Sequence, residues 1–364
     1  MPKPGELRRQ YPLPLVLLIA ALVLAGCAGA PPERKPPAAE PPPAARPAVE
    51  VIADAEVLAQ NNRYDTAATI LEELIAREGD NLEAMKLLAA VYAAMGRKRD
   101  AVSTWERIAV LDPSDPDAAY EVGISLARKK DWTALRSRML AAETAGAADA
   151  RHHLLIGEAD LELGYYGEAE RYLARATGMA RATYLLGKLY YEQGRLAEAE
   201  AKFDEVLQKD PDNFSAHLHL GWLHFKKGNK KKALTHYTRA VGLDPEEPLA
   251  RLSLAALYDE LGRSGEAIKH FQTALSLRRI PRSEKKKALN SLSRLLVEGS
   301  RTQEAITVIR KGLEEFPNAG GLYFQWGEAL LKEGRKTEAK DKYKKAAEDP
   351  VWREIALRRI HTIH

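Results

Sequence analysis

The chain has 364 residues, room for two or three ordinary domains or for one long repeat array. Its 55 Lys and Arg against 51 Asp and Glu leave a formal charge of +4, too little for the basic face of a dedicated nucleic-acid binder. With 45% hydrophobic residues it is no disordered polyelectrolyte, and its single cysteine excludes a disulfide framework and any cysteine-based zinc site.

Lys3, Arg8 and Arg9 form a positive start, and Leu15 to Ala25 is an uninterrupted apolar run of 11 residues followed by small ones. Residues 1–26 therefore read as a signal peptide, since a spanning helix needs about 20 apolar residues. Leu24, Ala25, Gly26 and Cys27 resemble the bacterial lipobox. The resemblance implies diacylglyceryl transfer to the Cys27 sulfur, cleavage before that residue and acylation of the new amino group. Two acyl chains hold a protein stably at a bilayer, at about 0.8 kcal/mol per buried methylene. Ala28, where an inner-membrane retention signal has Asp, implies an outer-membrane anchor facing the periplasm of a Gram-negative bacterium. Residues 27–47 then read as the acylated cysteine and a tether. Pro31 to Pro47 places eight prolines in 17 residues, a composition that favours extended polyproline II reaching roughly 50 Å.

From residue 48 to 350 the chain repeats itself. An aligned small position reads Ala67, Ala101, Leu135, Ala169, Ala199, Ala233, Ala267, Ala305 and Ala339, with steps of 34 residues except one of 30 and one of 38. Four residues further on stands a bulky filler: Leu71, Trp105, Met139, Leu173, Phe203, Tyr237, Phe271, Ile309 and Tyr343. A second small column reads Ala55, Ala89, Gly123, Gly157, Gly187, Gly221, Ala255, Ser293 and Gly327. The prolines beyond residue 47 fall at or near repeat ends, and Gly96, Gly164, Gly194, Gly228, Gly262 and Gly334 mark a turn inside each repeat. A 34-residue period with this composition resembles the tetratricopeptide repeat (TPR). It implies an all-α fold, a right-handed solenoid of about nine helix–turn–helix units, whose small columns let paired helices approach closely.

Three departures predict local changes. Repeat three has Lys130 for the turn glycine and Leu135 for the small residue, which predicts a wider helix pair. The short fourth-to-fifth step and the long seventh-to-eighth step predict a change of superhelical pitch. Residues 351–364 read as a capping segment, with an amphipathic helix over Val351 to Ile360.

Chemistry is hard to find. No phosphate loop, zinc-protease motif or nucleophile elbow is present, so the chain reads as no enzyme, with no cofactor and no metal. His217, His219 and His224 lie close in sequence, but His217 and His219 point about 200° apart on a helix and read as packing or surface residues, as do His152 and His153. Acidic pairs such as Glu72 and Glu73, Glu246 and Glu247, or Glu314 and Glu315 read as solvated surface.

The repeat resemblance instead implies a protein-binding groove lined by first helices. Carried onto the two richest repeats, it names Arg181, Tyr184, Lys188 and Tyr191, then Ser215, Leu218, Trp222 and Phe225, with Lys226 beside them. Aromatic rings next to cations suit an extended peptide. The same rings could instead be packed between neighbouring repeats. The carboxylate clamp of chaperone-binding relatives is incomplete, since only Asn290 and Arg294 stand at its positions. Two basic runs, Lys226 to Lys232 and Arg278 to Lys287, read as solvated surface or as a contact for an anionic partner. The sequence thus points to an outer-membrane lipoprotein scaffold that assembles an envelope complex, with type IV pilus and secretion pilotins as the nearest relatives by architecture. The alternative is a cell-wall or polysaccharide binder, or an adaptor for cell-wall enzymes, whose groove takes a glycan.

Overall fold

The computed structural model describes residues 46–363; the signal-peptide stretch, Cys27 and the tether up to residue 45 lie outside the described residues. Among the described residues there are 19 helices and no strand. They form nine successive pairs: α1 (Ala48–Gln60) and α2 (Tyr64–Glu78), α3 (Leu82–Ala94) and α4 (Lys98–Leu111), α5 (Pro116–Lys129) and α6 (Trp132–Thr144). There follow α7 (Ala150–Leu163) and α8 (Tyr166–Arg175), α9 (Ala180–Glu192) and α10 (Leu196–Lys209), α11 (Phe214–Lys226) and α12 (Lys230–Leu243). The array ends with α13 (Pro248–Glu260) and α14 (Ser264–Ser276), α15 (Arg282–Glu298) and α16 (Thr302–Glu315), α17 (Gly320–Lys332) and α18 (Lys336–Ala346), then the single α19 (Arg353–His361).

Local chemistry starts and stops these helices. Asn81, Asp115, Asp149 and Asn213 accept a first-turn backbone N–H with their side chains, and Pro116 and Pro248 open α5 and α13 where a missing N–H costs nothing. Gly164 ends α7 in the left-handed region, at φ 80° and ψ 14°. Lys130 takes the same role for α5 at φ 58°, a conformation a β-carbon makes mildly unfavourable.

The two small columns do what their size predicts. A β-carbon added at Gly157 would lie 2.6 Å from Leu173 Cγ, one at Gly187 2.8 Å from the Phe203 ring, and one at Gly327 2.6 Å from the Tyr343 ring. Each glycine of the first helix thus receives the filler of the second. Ala67, Leu135, Ala169, Ala199 and their equivalents are buried beside them. In repeat three, Leu135 is accommodated without exposure, and α5 and α6 touch over less of their length than the other pairs from α3 onward. Gly123 nevertheless closes on Met139, where a β-carbon would stand 2.9 Å from Cε.

The irregular steps are absorbed as helix length. The short step leaves α8 with 10 residues where α10 and α12 have 14, and the long one gives α15 17 residues. Four residues are close to one turn, so the buried face keeps its register. At the long step α15 lies along α17 and is linked to α13 by Arg294, which meets Asp259.

The cap begins two residues later than the sequence pattern indicates. Val351 is exposed in a turn, and α19 buries Ala356 while Ile363 closes its end. Trp352 lies 5.2 Å from Phe324 ring to ring, and Arg359 forks onto Glu328 at 2.7 and 2.9 Å. One apolar core runs without a break from Leu252 through the last three repeats to this cap.

Candidate partner-binding groove

Successive first helices touch one another, α5 with α7, α7 with α9, α9 with α11, α11 with α13 and α15 with α17, whereas no two second helices meet to that extent. The first helices therefore form the inner row of the stack. Three of the aromatic residues singled out in repeats five and six, Tyr184, Tyr191 and Trp222, converge there on one histidine. The His219 ring of α11 stands 5.3 Å from Tyr184 at 89°, 4.7 Å from Trp222 at 69°, 6.4 Å from Tyr191 and 5.3 Å from Phe203 beneath it. The Trp222 indole N–H donates to Ser253 Oγ of α13 at 2.8 Å, so the cluster ties three repeats together.

Each proposed groove residue has a definite place. Tyr184, Tyr191, Trp222 and Phe225 are half-buried, with one side packed between repeats and the other open. Burial pushes the phenols of Tyr184 and Tyr191 above their ordinary range. Lys226 lies 5.2 Å from the Tyr191 ring centroid and has no carboxylate partner among the described residues. Lys188 reaches Glu192 only at 3.7 Å, and exposed Arg181 bonds Glu158 of α7 at 2.8 Å. Ser215 contributes its carbonyl, which accepts from His219 Nδ1 at 2.9 Å. Leu218 is a correction. It is 5% exposed and packs with Tyr237 and Leu254 in the core, so it offers a partner almost no surface.

His219, Phe203 and Ser253 were not among the expected groove residues. His219 stands one position beyond Leu218, and one residue on a helix is a rotation of about 100°. That turn carries it from the core side to the inner row.

His217, His224 and His236 pack as polar filler between α11 and α12. His217 Nε2 donates to the Pro211 carbonyl at 3.0 Å, which leaves a lone pair on Nδ1 for His236 Nδ1–H at 3.0 Å. His224 stacks on the other side of His236 at 5.4 Å. Burial first, then His217, His224 and Lys232, lowers the His236 pKa to about 4. No three ligands converge on a point among the described residues.

Much of the first basic run is neutralised across repeats, and part of the second within its own helix pair. Lys227 and Lys232 meet Glu200, Lys230 meets Glu260 at 2.9 Å, and Lys285 meets Glu315. Arg294 is likewise occupied by Asp259 and Glu298, which removes it from any carboxylate clamp with Asn290.

Family models of the tetratricopeptide repeat match residues 58–120 and, in overlapping windows, 154–214, 184–248 and 218–284, together more than half of the chain. The chain belongs to the tetratricopeptide-repeat family. Its TPR solenoid is similar to a chain of the APC/C hetero-tetramer Cut9–Hcn1, at 16% identity and a TM-score of 0.51 over 77% of this chain and 55% of that one. It therefore spans about half the length of that chain. It is also similar to PilF of Pseudomonas aeruginosa, at 16% identity and a TM-score of 0.51, over 60% of this chain and 97% of that one. At such identity these likenesses speak for the fold. No curated protein sequence matches the chain. TPR arrays are protein–protein interaction scaffolds, and this one places a cluster of half-buried aromatic rings on the inner row.

Proposed function

We propose that the TPR array is the periplasmic part of an outer-membrane lipoprotein, and that its groove at repeats five to seven holds an extended segment of a protein partner during assembly of an envelope complex. The observation that carries the binding reading is the half-exposed cluster of Tyr184, Tyr191 and Trp222 around His219, with Lys226 unpaired at its edge. Rigid rings offer large contact area at low entropy cost, and a free ammonium catches a carboxylate. The anchoring part rests on Leu24 to Cys27 and Ala28, and the reading of the complex as a type IV pilus or secretion system rests on the combination of lipid anchor and TPR array. The protein acts by binding, without a reaction of its own.

A photoreactive residue in place of Trp222 should crosslink a protein of the envelope in cells, and Tyr184→Ala with Trp222→Ala should abolish the adduct while leaving helicity unchanged. An adduct that survives both changes places the interaction elsewhere. Mass measurement of the mature N-terminus tests the anchor, because an unmodified Cys27 ends that part of the reading.

A further inference from the structure

We propose that His219 Nε2 is the acceptor by which the groove receives a main-chain N–H of its bound segment, an extended peptide that lays an acidic side chain toward Lys226. The inference rests on the groove reading and names the ligand chemistry of that site. The Ser215 carbonyl 2.9 Å from Nδ1 can only accept, so Nδ1 carries the ring proton and the lone pair of the neutral imidazole lies on Nε2. That nitrogen has no partner among the described residues and is not among the atoms sealed from solvent.

The surroundings keep the ring neutral and fixed. Burial lowers its pKa, the Ser215 carbonyl opposes this, and Lys188 lowers it further. The groups that face it are Tyr184, Tyr191 and Lys188 of α9, Phe203 of α10 and Trp222 of its own helix, with no carboxylate among them. Tyr184 and Trp222 meet it edge to face and set the direction of the lone pair. An acceptor so placed discriminates against any ligand without a donor at that point, because the lost bond to water is then not replaced. An extended peptide presents an N–H toward one side at every second residue, which meets this demand, and its alternate side chains fall on the flanking rings. Lys226, held over Tyr191 without an acid of its own, is placed for a carboxylate. A neutral sugar leaves that cation unmatched, which favours peptide over glycan.

The probe is a set of dodecapeptides selected from a random displayed library against the immobilised full-length chain, keeping those that Trp222→Ala weakens. Each backbone N–H of a selected peptide is then methylated in turn. N-methylation at one position should weaken binding to the wild type about tenfold or more and leave binding to His219→Phe unchanged. His219→Gln, whose amide oxygen can accept, should recover part of the loss. Wild-type affinity should fall as the pH is lowered from about 7.5 toward about 4.5, and the fall should be smaller in His219→Phe, which keeps only the titration of the ligand's acid. Peptides weakened by Trp222→Ala but indifferent to His219→Phe and to every N-methylation overturn the acceptor assignment alone. A library that yields no Trp222-dependent peptide overturns the groove reading and this inference with it. Trp222-dependent binding of neutral N-acetylglucosamine oligosaccharides in the absence of any such peptide replaces the peptide by a glycan.

Discussion

Gly157→Ala tests the packing rule on which the whole array depends. The new methyl would stand 2.6 and 2.7 Å from Leu173 Cγ and Cδ2 and 3.3 Å from the Leu173 backbone nitrogen. Leu173 is 1% exposed, so its side chain has no space to retreat and α7 and α8 must move apart. Overpacking a tight core costs about 1–3 kcal/mol. Two contacts this short place the cost near the top of that range, and the better helix propensity of alanine returns about 1 kcal/mol. The expected net loss is about 2 kcal/mol, read from urea unfolding followed by far-UV circular dichroism. Gly242→Ala is the control. That glycine lies exposed in α12 with nothing within 4 Å of an added β-carbon, and alanine there should stabilise by about 0.5–1 kcal/mol. Leu173→Val should relieve the clash, so the double variant should lose less than the sum of the single losses by at least about 0.5 kcal/mol. Because each repeat leans only on its neighbours, the excess hydrogen exchange should centre on α7 and α8. The steric account fails if Gly157→Ala is as stable as the wild type or shifts in the same direction as Gly242→Ala.

Other outcomes follow from individual contacts. Arg136 of α6 bonds Asp160, whose side chain is fully buried and whose pKa burial raises despite that partner. Arg136→Ala should cost about 3 kcal/mol or more at neutral pH, and the cost should shrink on acidification as Asp160 takes up its proton. His236, depressed to about 4 from an ordinary value near 6.5, binds its proton more readily in the unfolded chain. Stability should therefore be full above about pH 6.5 and fall as the pH drops toward 4, and His236→Phe should flatten that part of a pH–denaturation profile. Ending the chain at Pro350 removes Trp352, Ala356 and Ile363 from the last repeat and should lower its melting temperature and promote self-association, seen by calorimetry and light scattering.

The amino-acid sequence by itself determined the class, the period and the internal packing of each repeat. Those features are local: a helix needs only its own residues and caps, and the closure of Gly157 on Leu173 joins positions 16 residues apart in one column pair. It was also enough to place Tyr184, Tyr191 and Trp222 on one row. What it left open was decided by how one repeat leans on the next. A rotation of about 100° separates Leu218 in the core from His219 on the inner row, and helical periodicity alone assigns neither until the neighbouring helices are in place. The irregular steps behaved likewise, since gaining or losing four residues preserves a helical face and becomes visible only as the lengths of α8 and α15. Tertiary stacking also fixed which charges are spoken for, Lys227 and Lys232 by Glu200 and Arg294 by Asp259, because those partners come from other repeats. Helices and pairs are thus written in short-range order, whereas the chemistry of the groove arises between repeats and exists only once they are stacked.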